Sequence, residues 1–175
     1  HQTRSGAAGR PSWGTPAGLA NMTTFINTVK SYNASAASAE KFSALHLDVE
    51  PWIGTGEDYS WIDPLNDAYE AAAGLLAGTD LKLACDQSGV KIRNGSIAQR
   101  QRCVDAVDNV VLMQYENTLA QAISRTLEFT AGLTFDNDES FQVAIRSIDF
   151  SAPSAECFNA IDSSLMTTRG YNGFV

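Results

Sequence analysis

The feature that most constrains this chain is a regular alternation between short apolar segments and longer segments of helical character. Helices are predicted over residues 17–38, 61–77, 96–107, 118–131 and 154–166. Strands are predicted over residues 42–50, 81–87, 109–116, 141–149 and 170–175. Strands that alternate with helices through short connections indicate a parallel sheet with right-handed crossovers.

Two α/β architectures fit this pattern. One is an open sheet of five strands, and the other is part of a (β/α)8 TIM-type barrel, which needs eight strands and about 250 residues. The chain has 175 residues, enough for one domain with a real core. We expect residues 1–175 to form a single domain. As a barrel, that domain would be incomplete at its N-terminal side and also at its C terminus.

Charge and composition exclude some classes of partner. The net charge of −8 argues against a nucleic-acid partner, because phosphate binding needs clustered Lys and Arg. It argues equally against an anionic membrane surface. No apolar run approaches the ~20 residues that span a bilayer, so we expect neither nucleic acid nor membrane as a partner.

Sequons and cysteines bear on the cellular compartment. Three Asn-x-Ser/Thr sequons occur, at Asn21, Asn33 and Asn94. With the acidic, lysine-poor composition they favour a secreted, glycosylated protein. The spacing of the three cysteines matches no zinc motif. Taken alone, each cysteine is predicted to be a small buried apolar residue. If the protein is secreted, Cys85 and Cys103 are the candidate pair for a disulfide.

The segment 42–50 carries the residues that point most directly to chemistry. Side chains alternate between faces along a strand, and the apolar face here consists of Leu45, Leu47 and Val49. The other face consists of His46, Asp48 and Glu50. The apolar face must pack on helices, so the ionisable face points inward, with Glu50 nearest the rim where barrel enzymes place their active sites. Two carboxylates so close repel, and one should hold its proton to higher pH, as a general acid requires.

The later strands add residues to the same rim. The alternation of side chains predicts that Asp86 faces inward on strand 81–87 and that Arg146 faces inward on strand 141–149. On strand 109–116 it places Met113 and Tyr115 on the same face. The loop after the first strand contains three aromatic residues, Trp52, Tyr59 and Trp61. Their rings could stack on sugar rings, and packing within the loop is an equally good explanation. The convergence of these residues at successive strand ends is the informative observation.

Two strings resemble a known superfamily. FSALHLDVEPW (42–52) resembles the fourth strand of chitinase-type glycoside hydrolases, with pattern D-G-x-D-x-D-x-E. DNVVLMQYEN (108–117) resembles their sixth strand, which reads M-x-Y-D or M-x-Y-N. A closer likeness is to uncharacterised glycoside-hydrolase-like barrel proteins with an H-L-D-V-E-P strand and a P-S-W-G/A segment, here Pro11 to Gly14. The likeness runs from about residue 10 to the C terminus.

The resemblance implies a partial (β/α)8 barrel with about strands three to eight present, and a carbohydrate substrate without a cofactor. It implies that Glu50 is the proton donor and that Asp48 steadies the substrate acetamido group or the intermediate. It also implies that Tyr115 and Met113 line the subsite of the cleaved sugar. The sequence departs from the pattern at Ser43 and His46, which stand where chitinases have the first two Asp. Another segment or a second chain would complete the barrel.

Two further hypotheses stay open. The chain is alternatively a lectin-like barrel that binds carbohydrate without cleaving it, which the His46 departure favours. A metal site on His46, Asp48 and Glu50 is a weaker alternative, because His-x-Asp-x-Glu is no established metal-binding spacing.

Overall fold

The structure is a computed structural model that describes residues 16–52, 56–115, 118–136, 138–146, 149 and 154–174. Predictions about residues 1–15, including the Pro11 to Gly14 segment, lie outside the described residues. So do those about Glu116 and Asn117, at the end of the string that resembles the sixth chitinase strand.

Each predicted helix and strand has a counterpart in the structure. The helices are α1 (Pro16–Ser35), α2 (Ile62–Leu76), α3 (Ile97–Asp105), α4 (Leu119–Thr130) and α5 (Ser154–Leu165). The strands are β1 (Ala44–Leu47), β2 (Lys82–Ser88), β3 (Asn109–Met113), β4 (Ser140–Ala144) and β5 (Tyr171–Phe174). The main difference is that β1, β3 and β4 end earlier than predicted. Asp48, Glu50, Tyr115 and Arg146 therefore lie just beyond the strands, in the segments that leave the sheet.

The five strands form one parallel sheet in the order in which they occur along the chain, β1-β2-β3-β4-β5. Consecutive helices pack on one another, α1 on α2, α2 on α3 and α4 on α5, so the helices lie together on one face of the sheet. A doubly wound sheet would instead reverse its strand order at a switch point. An open sheet wound in one direction and a segment of a barrel share the observed topology.

The core lies between the sheet and its helices. The strand residues that face the helices are at most 5% exposed: Leu45, Leu47, Leu83, Cys85, Val110, Leu112, Phe141 and Val143. Helix residues Tyr69, Phe129 and Ile161 are fully buried against them. Full burial of such a side chain contributes about 1.5–3 kcal/mol, so this layer fixes which face of each strand turns away from the helices.

Capping side chains set the start of two helices. Ser96 and Gln99 form a reciprocal capping box at α3, and Thr118 and Gln121 form another at α4. Each box satisfies two backbone N–H groups that have no partner within the helix. Because α4 begins so soon after Tyr115, the second box also limits the path of the chain near the rim of the sheet.

Cys85 and Cys103 are neighbours in this core, on β2 and α3. Both are buried free thiols, as is Cys157, so the predicted Cys85–Cys103 disulfide is absent from this structure. Burial, together with the hydrogen bond between the two thiols, raises the pKa of Cys85, which keeps it protonated and unreactive. Within the described residues, no helix combines the length and apolar character needed to cross a membrane.

Candidate functional site

His46 and Asp86 meet at the carboxyl ends of β1 and β2. The register pairs Leu47 with Cys85, which sets Asp86 beside Asp48. His46 Nε2 lies 2.9 Å from Asp86 Oδ1, within ion-pair distance. The interaction with Asp86, aided by the negative charge of Asp48, raises the pKa of His46 above its ordinary 6.5 even though burial opposes it. The imidazole is therefore a cation over a wider pH range than a free histidine.

Asp48 and Glu50 share the inward side with His46, as the alternation predicts. Burial raises the pKa of Asp48, the charge of Asp86 adds to this effect, and His46 opposes it. Asp48 Oδ1 is enclosed and accepts no hydrogen bond from the described part of the chain. Burial also raises the pKa of Glu50, followed by repulsion from Asp48 and Asp86. Both pKa directions agree with the predicted competition of neighbouring carboxyls for a proton, which stays a prediction.

Tyr115 and Arg146 form the opposite side of the rim. The Arg146 guanidinium lies 5.0 Å from the centre of the Tyr115 ring, within the range of a cation–π contact. Arg146 also donates from Nε and Nη2 to the two carboxylate oxygens of Asp149, at 3.1 and 3.0 Å. Burial, with the charges of Asp86, Asp48 and Glu50, raises the pKa of Tyr115. The phenol therefore remains a hydrogen-bond donor at neutral pH.

The three carboxylates thus act on the same phenol and on each other. Glu50, Asp48 and Asp86 each influence Tyr115, and Asp48 and Asp86 each influence Glu50. The β1–β2 register sets Asp86 beside Asp48, and His46 Nε2 lies 2.9 Å from Asp86 Oδ1. Residues from β1, β2 and the end of β3 therefore form one electrostatic group, the rim cluster, defined as His46, Asp48, Glu50, Asp86 and Tyr115.

A buried polar contact supports the rim from the helix side of the sheet. Gln114 precedes Tyr115 and is fully buried, and its Nε2 donates to Thr126 Oγ1 on α4 at 3.1 Å. Gly89, after β2, lies against the Gln114 side chain and donates from its backbone N to the Met113 carbonyl at 3.1 Å. These contacts fix the segment that carries Tyr115. The sequence did not indicate them, although an isolated Gly after a strand often marks a close approach.

A second polar layer lies below the rim on the inner face. Asn109 Nδ2 donates to Gln142 Oε1 at 3.0 Å, and Ser140 Oγ donates to Asn109 Oδ1 at 2.9 Å. Gln142 shares the inner face of β4, and the register places it beside Val111. Near the amino ends of β3 and β4 the inner face is therefore hydrogen-bonded, whereas Val111, Met113 and Ala144 on the same face are buried apolar residues.

The aromatic loop after β1 differs from one expectation. Trp52 and Trp61 were proposed to stack on sugar rings, but they are only 8% and 6% exposed. Their rings contact each other edge to face, with centres 5.4 Å apart. The alternative explanation, packing of the loop, therefore applies to both. Tyr59 is half-buried and has Lys91 Nζ 6.0 Å from its ring centre.

The other predicted residues occupy varied positions. Met113 ends β3 beside Ser88 and Ala144 and is nearly buried. Among the sequons, Asn21 and Asn94 are exposed. Asn33 binds the backbone of Phe42 through both its amide nitrogen and its oxygen, at 2.8 and 2.9 Å. Within the described ranges, no group of three or more His, Cys, Asp or Glu side chains is arranged to hold a metal ion.

A depression lies at the opposite edge of the sheet and contains no member of the rim cluster. It is lined by connections that precede β2, β3 and β4, including Asp80, Asp105 and Asp136. Lys82 and Asp108 pair across it at 2.7 Å. Active sites of parallel α/β proteins lie at the carboxyl ends of the strands, so the rim cluster is the stronger candidate.

No family model, curated protein or solved structure matches the chain. The functional argument therefore depends on the geometry and chemistry of the rim cluster.

Proposed function

We propose that the chain is a glycoside hydrolase-like protein that cleaves glycosidic bonds, with Glu50 as the general acid. The observation that carries the proposal is the half-buried Glu50 carboxyl beside Asp48 and Asp86, whose charges and burial raise its pKa. A carboxylic acid that holds its proton to higher pH than an ordinary glutamate is better suited to protonate the oxygen of a leaving sugar. The resemblance to chitinase-type enzymes extends the proposal to amino-sugar polymers.

Three members of the rim cluster, together with Arg146, have roles in this reaction. Glu50 donates its proton to the glycosidic oxygen as the bond to the anomeric carbon breaks. Asp48, as an anion, orients the substrate N-acetyl group, whose oxygen attacks that carbon. Tyr115 keeps its proton and donates a hydrogen bond to the same group. Arg146, held by Asp149 and stacked on Tyr115, fixes the orientation of the phenol ring.

The finer fold that we propose is part of a (β/α)8 barrel. Two features support it: the consecutive strand order and the helices on one face. In the described residues, β1 and β5 each pair with one neighbouring strand, so a closed barrel requires further strands. Another segment or a second chain would supply them. We also keep secretion and glycosylation of Asn21, Asn33 and Asn94 as proposals.

The experiment is release of reducing sugar from N-acetylglucosamine oligomers by the wild-type protein, Glu50→Gln and Glu57→Gln. Glu57 is exposed in the loop after β1, so it provides the same substitution outside the rim cluster. Loss of a general acid lowers the rate by about 10²–10⁴-fold, so we expect this loss in Glu50→Gln and wild-type rates in Glu57→Gln. Equal activity of all three proteins would refute the assignment of Glu50.

The same assay separates the lectin-like alternative. That alternative predicts oligosaccharide binding without turnover and with no sensitivity to Glu50→Gln. Burial of Trp52 and Trp61 removes two of the rings that would stack on sugars under either hypothesis, so turnover is the discriminating observation. Calorimetric titration with the oligomers used for hydrolysis would detect binding by an inactive protein.

A further inference from the structure

The contact between His46 and Asp86 lies beside two carboxyls that compete for a proton. His46 and Asp48 come from one strand and its extension, and Asp86 comes from the neighbouring strand at the same level. The imidazole therefore has a carboxylate on each of two sides. Among the described residues, the charged or titratable groups that also face this region include Glu50 after β1, Tyr115 after β3, and the pair of Arg146 and Asp149 after β4.

We propose that His46 and Asp86 act as a positioning pair that decides which neighbouring carboxyl, Asp48 or Glu50, carries the proton of the rim cluster. The catalytic use of that proton rests on the proposed function, whereas its location on Asp48 or Glu50 does not. Neither residue of the pair needs to touch the substrate. His46 is also a position at which the chain departs from the chitinase pattern, because the pattern has an aspartate where this chain has a histidine.

The first step of the argument concerns Asp48. Its Oδ1 is enclosed and accepts no hydrogen bond within the described chain, so hydrogen bonding contributes little to ionisation at that atom. The positive charge of His46 is the cause that favours the anion, and Asp86 holds the imidazole in place at 2.9 Å. With a charged His46, Asp48 is the carboxyl that ionises more readily.

The second step concerns Glu50. An ionised Asp48 repels a second negative charge and so keeps the proton on Glu50. Loss of the His46 charge reverses both steps: Asp48 takes up the proton more readily, and Glu50 then loses part of the repulsion that kept it neutral. The location of the proton therefore depends on a cation that donates no proton to the substrate.

The experiment is titration of the Asp and Glu side-chain carboxyl carbons by NMR in the full chain and in His46→Gln. Glutamine places a nitrogen close to the imidazole Nε2 position but carries no charge, so it separates a polar contact with Asp86 from the effect of the charge. In the wild type, Glu50 should titrate at higher pH than Asp48. In His46→Gln, the midpoint of Asp48 should rise and that of Glu50 should fall. An unchanged separation between the two midpoints would overturn the proposal.

Asp86→Asn provides a second, independent variant, which also serves if His46→Gln does not fold. Removal of the Asp86 charge should lower the titration midpoint of the His46 imidazole, observed directly by its ring signals. An unchanged His46 midpoint would contradict the pair. These titrations need no substrate, so an inactive protein would refute the proposed function and leave this result intact. If the protein is active, the alkaline limb of kcat/KM should move to lower pH in His46→Gln.

Discussion

Gly89 occupies a position at the rim of the sheet where a side chain has no space. A Cβ atom added there would lie 2.2 Å from Gln114 Nε2 and 2.4 Å from Gln114 Cδ. The amide cannot simply withdraw, because Gln114 is fully buried and donates to Thr126 Oγ1 at 3.1 Å. Gly89→Ala must therefore displace the amide from Thr126 or move the end of β2.

Two costs follow from this crowding. Overpacking in a well-packed region costs about 1–3 kcal/mol, and a buried amide that loses its hydrogen bond costs about 1–3 kcal/mol. The costs overlap, since a shift that preserves the hydrogen bond increases the strain. We expect Gly89→Ala to lower the free energy of unfolding by roughly 2–4 kcal/mol. For a domain of this size, each kcal/mol lowers Tm by about 2–4 °C.

Gly74→Ala is the matched control. Gly74 is exposed in α2, and a Cβ there would meet no atom within 4 Å. Replacement of an exposed helical Gly by Ala stabilises by about 1 kcal/mol, so the two identical substitutions should have opposite signs. Urea unfolding followed by circular dichroism measures both. If Gly89→Ala were as stable as the wild type, the close packing of Gly89 against the Gln114 amide would be refuted.

Three further predictions concern the buried polar groups. Thr126→Val removes the acceptor of Gln114 and should cost about 1–3 kcal/mol in urea unfolding, whereas Thr126→Ser, which keeps the hydroxyl, should cost less. Glu50→Gln should raise Tm at neutral pH and leave it unchanged below pH 4.5. The reason is that folding raises the pKa of Glu50, so its ionisation lowers the stability of the folded protein as the pH rises above the ordinary value of 4.5. An equal change in Tm at both pH values would contradict this prediction. Thiol labelling in denaturant without reductant should modify all three cysteines, and labelling of one would indicate the disulfide between Cys85 and Cys103.

The sequence predicted the faces of the strands well, for a simple reason. An alternating strand has two faces, and the apolar one must meet the helices, so a shift of one residue would bury His46 and expose Leu45. The same reasoning predicted the convergence of Asp86, Tyr115 and Arg146 at the rim. Parallel strands bring their carboxyl ends to a single edge, which makes the convergence a consequence of topology.

Other features depend on contacts that no local pattern encodes. The early ends of β1, β3 and β4 reflect where pairing between strands stops. The burial of Trp52 and Trp61 depends on the contact of their rings with each other and with the core, and an aromatic residue in a loop suits stacking and packing equally. Asp149 had a weak signal, its three-residue spacing from Arg146, and the contact of Gly89 with Gln114 joins segments that are distant in the sequence.

The measurement that tests the proposed mechanism most directly is the leaving-group dependence of hydrolysis in Glu50→Gln. Aryl glycosides with strongly acidic phenols depart without protonation, whereas unactivated oligosaccharides need a general acid. We predict that Glu50→Gln loses about 10²–10⁴-fold on the oligosaccharide and much less on the dinitrophenyl glycoside of the same sugar. Equal losses on both substrates would contradict the assignment of Glu50 as the proton donor.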